Sequence, residues 1–244
     1  MKERTIKSLS ELITALRKDL HGHAEPVWYR GHGKVGWQLT PALHRLKNPK
    51  AEVAMINQFR QNANLLVEHT PRSDFDWLFV MQHYGVPTRL LDWSESPLVG
   101  LYFAVTEHPK AEGALWVLKP LELNRQTTSK PEEVKYIPSF EDASLQNYST
   151  LTVVSGNLTG VLPLAVIATR NNTRIQAQLG AFTISHSTKT SIETIGTKKH
   201  VIKYRIPAAA KPTIMSDLQL LGFTKFQVFP ELESIGDTIR EGLS

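Results

Sequence analysis

Apolar residues recur at helical spacing near the start of the chain. Leu9, Leu12, Ile13, Leu16 and Leu20 share one face of a 3.6-residue period. Ser8-Leu9-Ser10-Glu11 supplies a capping box. The pattern therefore predicts a helix from about 8 to 20, into which Met1-Lys2-Glu3-Arg4-Thr5 runs directly. Val27-Trp28-Tyr29-Arg30 reads as a short strand of bulky residues ended by Gly31 and Gly33. Ile56, Phe59, Ala63 and Leu66 mark a second helix over about 51–68. Asp74 opens a third, with Phe75, Leu78, Phe79 and Gln82 on one face and Gly85 in the position of a C-terminal glycine. A fourth starts at Pro97, where a missing N–H costs nothing, with Ser96 as its cap.

Strand patterns dominate the middle: Ala114 to Leu118, Val161 to Ala168, Gln178 to Ile184 and Val201 to Ile206. The polar, Pro-punctuated span 120–150 reads as a long surface excursion. Two late helices are expected at about 213–221 and 231–241, the second with Leu232, Ile235 and Ile239 on one face. Helices early and strands late, with little alternation, predict an α+β fold. We expect a single domain over 1–244, with a mixed or antiparallel central sheet and flanking helices. Its core spans about 25–235, with the 8–20 helix packed on it.

Composition narrows the function. The 244-residue chain has no cysteine, which excludes disulfides, thiolate metal sites and a cysteine nucleophile. The start of the chain has no signal-peptide apolar core, and the run Val161–Ala168 is broken by Pro163 and too short to span a bilayer. A cytoplasmic protein without membrane contact is expected. The net charge of +5 comes from 28 basic and 23 acidic residues that are well interspersed, unlike the clustered Lys/Arg of a dedicated nucleic-acid binder.

Several literal motifs fail on context. Gly31-His32-Gly33-Lys34-Val35-Gly36 matches GxGxxG, but the extended, Pro-terminated Trp37-Gln38-Leu39-Thr40-Pro41 follows where a dinucleotide fingerprint needs a helix. The kinase reading lacks later HRD and DFG motifs. His21 and His23 could pinch a metal, but no third ligand is evident and no metal is expected. No acidic cluster suits a two-metal nuclease.

The informative stretch is His83 to Ala104. It combines a turn (Gly85, Pro87), Arg89 and Asp92 around Leu90-Leu91, and the start of a helix. Arg89 and Asp92 read as a buried ion pair that fixes the 85–93 turn. Ser94-x-Ser96, just before the helix, offers hydroxyl and amide donors to an anion. Upstream, Arg30 ends an apolar strand beside Gly31. Arginine binds phosphate bidentately, and glycine would let a ligand approach the backbone.

Tyr29-Arg30-Gly31, with His83 to Trp93 and Pro97 to Ala104, resembles the FRG-domain family, which takes its name from a (Phe/Tyr)-Arg-Gly motif. The resemblance runs over roughly 25–235, through Arg174 to Phe182 and Phe229-Pro230-Glu231-Leu232. It implies a protein of bacteria or their phages. A weaker resemblance is to the ADP-ribosyltransferases. Tyr29-Arg30-Gly31 is similar to their Arg-Gly strand end, and Ser94-Glu95-Ser96 with Gly100-Leu101-Tyr102-Phe103-Ala104 to their Ser-x-Ser strand and following helix. Arg174-Ile175-Gln176-Ala177-Gln178 resembles their Arg-x-Gln-Ala-Glu stretch, with Gln178 at the acid's position on a later strand.

The second resemblance implies an ADP-ribosyltransferase-like core whose cleft binds NAD or a related nucleotide. Arg30, Ser94 and Gln178 would act in catalysis, and Arg30, Gly31, Tyr84, Trp93, Ser94 and Ser96 would bind the cofactor. Arg30 would hold the diphosphate or ribose, and Tyr84 or Trp93 would stack on nicotinamide. Gln178 can hydrogen-bond a ribose but cannot act as a base, so Glu95 and Glu193 are the substitute acids. The implied function is ADP-ribosyl transfer to a nucleic acid or protein by a toxin-like effector in phage–host conflict. The alternative is a non-catalytic nucleic-acid or protein binding module.

Overall fold

In the computed structural model, which describes residues 1–46, 52–67, 71–168 and 173–241, strands and helices interleave along the chain. Strand β1 (Lys2–Thr5) precedes helix α1 (Leu9–Asp19), strand β2 (Trp28–His32), helices α2 (Glu52–Ala63) and α3 (Asp74–His83), and strand β3 (Leu90–Ser94). Next come α4 (Pro97–Thr106), β4 (Gly113–Leu118), α5 (Pro120–Thr127), α6 (Thr150–Ser155), β5 (Leu164–Val166), α7 (Thr173–Ala177) and β6 (Gly180–Ile184). The chain continues through β7 (Val201–Ile206), α8 (Lys211–Leu220), α9 (Lys225–Val228) and α10 (Leu232–Glu241). The strands form one seven-stranded sheet in the order β1-β7-β4-β2-β3-β6-β5, and β1–β7 is its parallel pair. The α+β class and the mixed sheet with flanking helices agree with expectation. No described helix is long and apolar enough to cross a membrane.

Local sequence explains where the elements start and stop. Ser8 Oγ accepts the Glu11 N–H at 3.2 Å, which caps α1. Gly85, at φ +75°, ends α3: its N–H reaches the Gln82 carbonyl, and the Val86 N–H reaches that of Met81. Ser96 holds the N-cap position of α4, but its side chain makes no capping bond.

Several boundaries differ from the pattern reading. Residues 2–5 are a strand rather than a lead-in to α1, because β7 offers them an edge. The 51–68 helix stops at Ala63, and its predicted end residues 51 and 68 lie outside the described residues. Strand 161–168 shrinks to Leu164–Val166, after Pro163, whose ring has no N–H to give a ladder. Strand 178–184 begins at Gly180, because Thr173–Ala177 is helical and residues 178–179 turn out of it. The supposed excursion 120–150 carries α5, which buries Leu121, Leu123 and Asn124. Asn124 acts as a strand partner for the sheet edge: its amide accepts the Ala165 N–H at 2.8 Å and donates to the Ala165 carbonyl at 2.9 Å.

Strand alternation sorts the core into two faces. Leu115 and Val117 of β4 join Tyr29, Ile202, Tyr204 and Ile206 beneath α1, α4 and α8. Ala114, Trp116 and Leu118 join Trp28, Leu91 and Trp93 on the other face. A third cluster packs α2 and α3 on Leu90, Phe182 and Ile184. Alternation also redirects the expected Arg89–Asp92 pair. Residues three apart in extended chain face opposite ways, so Arg89 turns inward to Glu52, with Nε at 2.9 Å from both carboxylate oxygens.

Helix α4 lies directly on β2. A Cβ at Gly31 would sit 2.0 Å from the Gly100 carbonyl oxygen and 2.5 Å from the Ala104 nitrogen. Glycine at 31 is thus required by the helix that lies on it. Beyond this contact, Lys211, 1% exposed, donates to the carbonyls of Gly33, Glu107 and His108 at 2.9, 2.9 and 3.0 Å. One ammonium spends its three protons fastening the end of α4 to the loop after β2.

At the other end of the sheet, Asp19 is buried among Arg4, Lys2 and the Tyr204 hydroxyl. Burial alone would raise its carboxyl, but the hydrogen bonds from those three groups outweigh it and hold it at about 2. Its folded value lies below the ordinary carboxylate range, so its stabilisation is present above pH ~4 and lost as pH falls toward 2. Asp19→Asn should cost about 2 kcal/mol at pH 7 and flatten the acid limb of stability between about pH 4 and 2 in urea titrations. Gly31→Ala should destabilise by about 3 kcal/mol or abolish soluble expression, with or without any ligand, because its clash is with backbone.

Candidate functional site

The sheet parts at its middle. Strands β2 and β3 pair at one position, Tyr29 opposite Ser94, whereas β2–β4 and β3–β6 each pair along five. Beyond Tyr29 the two strands diverge, and the Arg30 side chain spans the opening. Its Nη1 donates to the Asp92 carbonyl at 2.6 Å, and its Nε donates to His32 Nε2 at 3.1 Å. Nη2 takes no hydrogen bond among the described residues. The closest approach of the guanidinium to the Asp92 carboxylate is 3.9 Å, so the charge is only partly compensated. Burial works to lower Arg30 from its ordinary value, and the Asp92 charge opposes that shift.

A cavity of about 410 Å³ opens over this seam. Arg30, Arg45 and Arg174 bring three cations to its wall, against the carboxylates of Asp92 and Glu107. Trp37, Phe79, Trp93, Phe103 and Phe182 give it aromatic surface. The Arg174 guanidinium stands over the Phe229 ring at 4.7 Å. His32 is held neutral: burial, then the neighbouring Arg30 charge, push it down to about 3. This leaves its Nε2 lone pair free to accept from Arg30. His83 is also lowered, by burial first and Arg174 second.

Of the residues singled out by sequence, Arg30, Gly31, Trp93, Ser94 and Gln178 come together on this cavity. Tyr84 and Ser96 are not among its lining residues. The Tyr84 side chain is 67% exposed at the end of α3, its ring against Phe59 and His83. Ser96 uses its N–H on Ser94 Oγ at 2.9 Å. Ser94, 3% exposed, donates its proton to the Gln178 carbonyl at 2.6 Å, so its hydroxyl joins the start of α4 to the turn before β6. Trp93 is equally buried and donates its indole N–H to Thr183.

Gln178 stands in that turn rather than on a strand, and its amide donates to the Val228 carbonyl at 3.1 Å. Glu95 and Glu193, the substitute acids, are not among the lining residues. Glu193 accepts from the Leu39 N–H at 3.1 Å, and burial raises its carboxyl. His21 and His23 belong to no group of three or more metal-ligating side chains among the described residues.

Sequence reasoning missed Trp37, Arg45, Gln82 and Glu107. Gln82 was visible only as a face position of α3, and Glu107 as the residue after a helix of unread length. Trp37 opens the extended stretch that follows the rejected glycine-rich motif.

Comparison with known proteins adds a family. The model of the FRG domain matches residues 25–113, a stretch that holds Arg30, Asp92, α4 and the seam, while Arg174, Gln178 and Phe182 lie beyond it. No curated protein and no solved structure matches the chain significantly. The sequence resemblance and the family match coincide on Tyr29-Arg30-Gly31 and on the 83–104 block: over residues 25–113 the chain is similar to the FRG domain.

Proposed function

We propose that the seam cavity binds a nucleotide of the NAD class, with Arg30 as its anchor. The observation that carries this reading is the meeting of three arginines and a set of aromatic rings in one cavity of ligand size. A partly buried guanidinium whose nearest approach to the Asp92 carboxylate is 3.9 Å, and whose Nη2 takes no hydrogen bond among the described residues, gains from an incoming anion. Phosphate satisfies that need, and the aromatic walls suit a base or a nicotinamide ring. The Gln178 side-chain carbonyl can accept from a ribose hydroxyl while its amide stays on Val228.

The chemistry in keeping with such a ligand is glycosyl transfer from NAD, in which the nicotinamide–ribose bond breaks and an oxocarbenium-like centre must be stabilised. An ADP-ribosyltransferase-like core, a nucleic-acid or protein acceptor, and an effector role in phage–host conflict belong to the same reading and rest on family analogy.

Saturating NAD or ADP-ribose should raise the melting temperature of the wild type by several degrees, and leave that of Arg30→Ala unchanged. A ligand at about a hundredfold excess over Kd contributes about 2.7 kcal/mol to the folded state. No shift for the wild type at millimolar ligand overturns the reading. Steeply salt-dependent association with DNA or RNA, undiminished in Arg30→Ala, would favour a binding module instead.

A further inference from the structure

With Gln178 an amide and Glu193 occupied elsewhere, the cavity still contains two carboxylates, Asp92 and Glu107. They differ in how they are held. Glu107 is exposed at the end of α4, and among the described residues no hydrogen bond orients its carboxylate. Asp92 is aimed. Its Oδ2 accepts from the Gln82 amide at 2.7 Å, the Gln82 carbonyl accepts from the Thr88 hydroxyl at 2.5 Å, and the same hydroxyl accepts the Leu90 N–H at 3.1 Å. Thr88 is fully buried. The main-chain N–H fixes which way the hydroxyl donates, and the hydroxyl fixes which end of the Gln82 amide faces Asp92. The outcome is a half-exposed carboxylate on the cavity wall, 47% accessible, whose Oδ1 takes no hydrogen bond among the described residues.

The geometry points to Asp92 as the catalytic carboxylate of the seam, positioned by Gln82 and Thr88, for a substrate whose ribose carries an N-glycosidic leaving group. This assignment rests on the nucleotide reading above. In the step, the N-glycosidic bond breaks and its electron pair leaves with nicotinamide. The oxygen of water forms the new bond to the ribose carbon, and the proton of that water passes to Asp92. An arginine beside a carboxylate suits a substrate that is anionic at its phosphates and becomes cationic at its ribose.

The main-chain bond from Arg30 to residue 92 does not involve the carboxylate, so Asp92→Asn should fold as the wild type does. Binding of ADP-ribose by calorimetry and release of nicotinamide from NAD should be measured in parallel. Asp92→Asn should bind ADP-ribose within about threefold of wild type while releasing nicotinamide at least about 100-fold more slowly. Thr88→Val, which removes the aiming hydroxyl, should lower kcat about tenfold with KM unchanged. Turnover by Asp92→Asn at the wild-type rate overturns the assignment and leaves the nucleotide reading intact. So does a wild type that binds ADP-ribose and releases no nicotinamide. A wild-type kcat in Thr88→Val overturns the positioning relay, and failure of the wild type to bind ADP-ribose overturns the nucleotide reading itself.

Discussion

The parting of β2 from β3 is the constraint on which the rest of the molecule depends. A sheet that opens in its middle leaves backbone groups without ladder partners, and such groups must be satisfied or wetted. Here one side chain does both. Arg30 covers the Asp92 carbonyl with Nη1 and leaves Nη2 for whatever enters. The same divergence that creates the cavity therefore supplies the charge within it. The two outer halves of the sheet hold their shape through the full ladders β1-β7-β4-β2 and β3-β6-β5.

Rigidity around the seam comes from groups with no freedom left to give. The glycines at 31 and 100 let α4 rest on β2 at backbone distance. Lys211 fastens the end of that helix with three carbonyl bonds. On the far side, the buried Arg89–Glu52 pair ties the start of α2 to the strand that carries Asp92. A buried pair of this kind is a weak source of net stability, but removing one partner strands the other, so it fixes position firmly.

Much of the fold could be read from periodicity. Helices with caps or C-terminal glycines, such as α1 and α3, carry their boundaries in short-range chemistry. The strand β4 was legible as an apolar run, and the structure buries it on both faces. What stayed hidden depends on partners distant in sequence. Residues 2–5 are polar and become a strand only because β7 has a free edge. Asn124 serves the backbone of Ala165, 41 residues away, so its stretch read as loop. In the site, Arg30 was legible from the Tyr29-Arg30-Gly31 motif, although β2 runs on through Gly31 to His32 and the arginine is not at its end. The roles of Ser94 and Gln178 were not, since their hydrogen bonds reach the Gln178 carbonyl and Val228. Gln82 and Thr88 look like ordinary helix and turn residues until their bonds to Asp92 are seen.

Arg30 grips residue 92 by its main chain. A carbonyl is common to all amino acids, so no replacement at position 92 can delete that bond. The side chain there is free to change without reopening the sheet, and the position can be altered for chemistry at little structural cost. The converse holds at position 30, where one residue both closes the seam and faces the cavity. A lineage could therefore retune or silence this cleft by changing residue 92 long before it could afford to change residue 30.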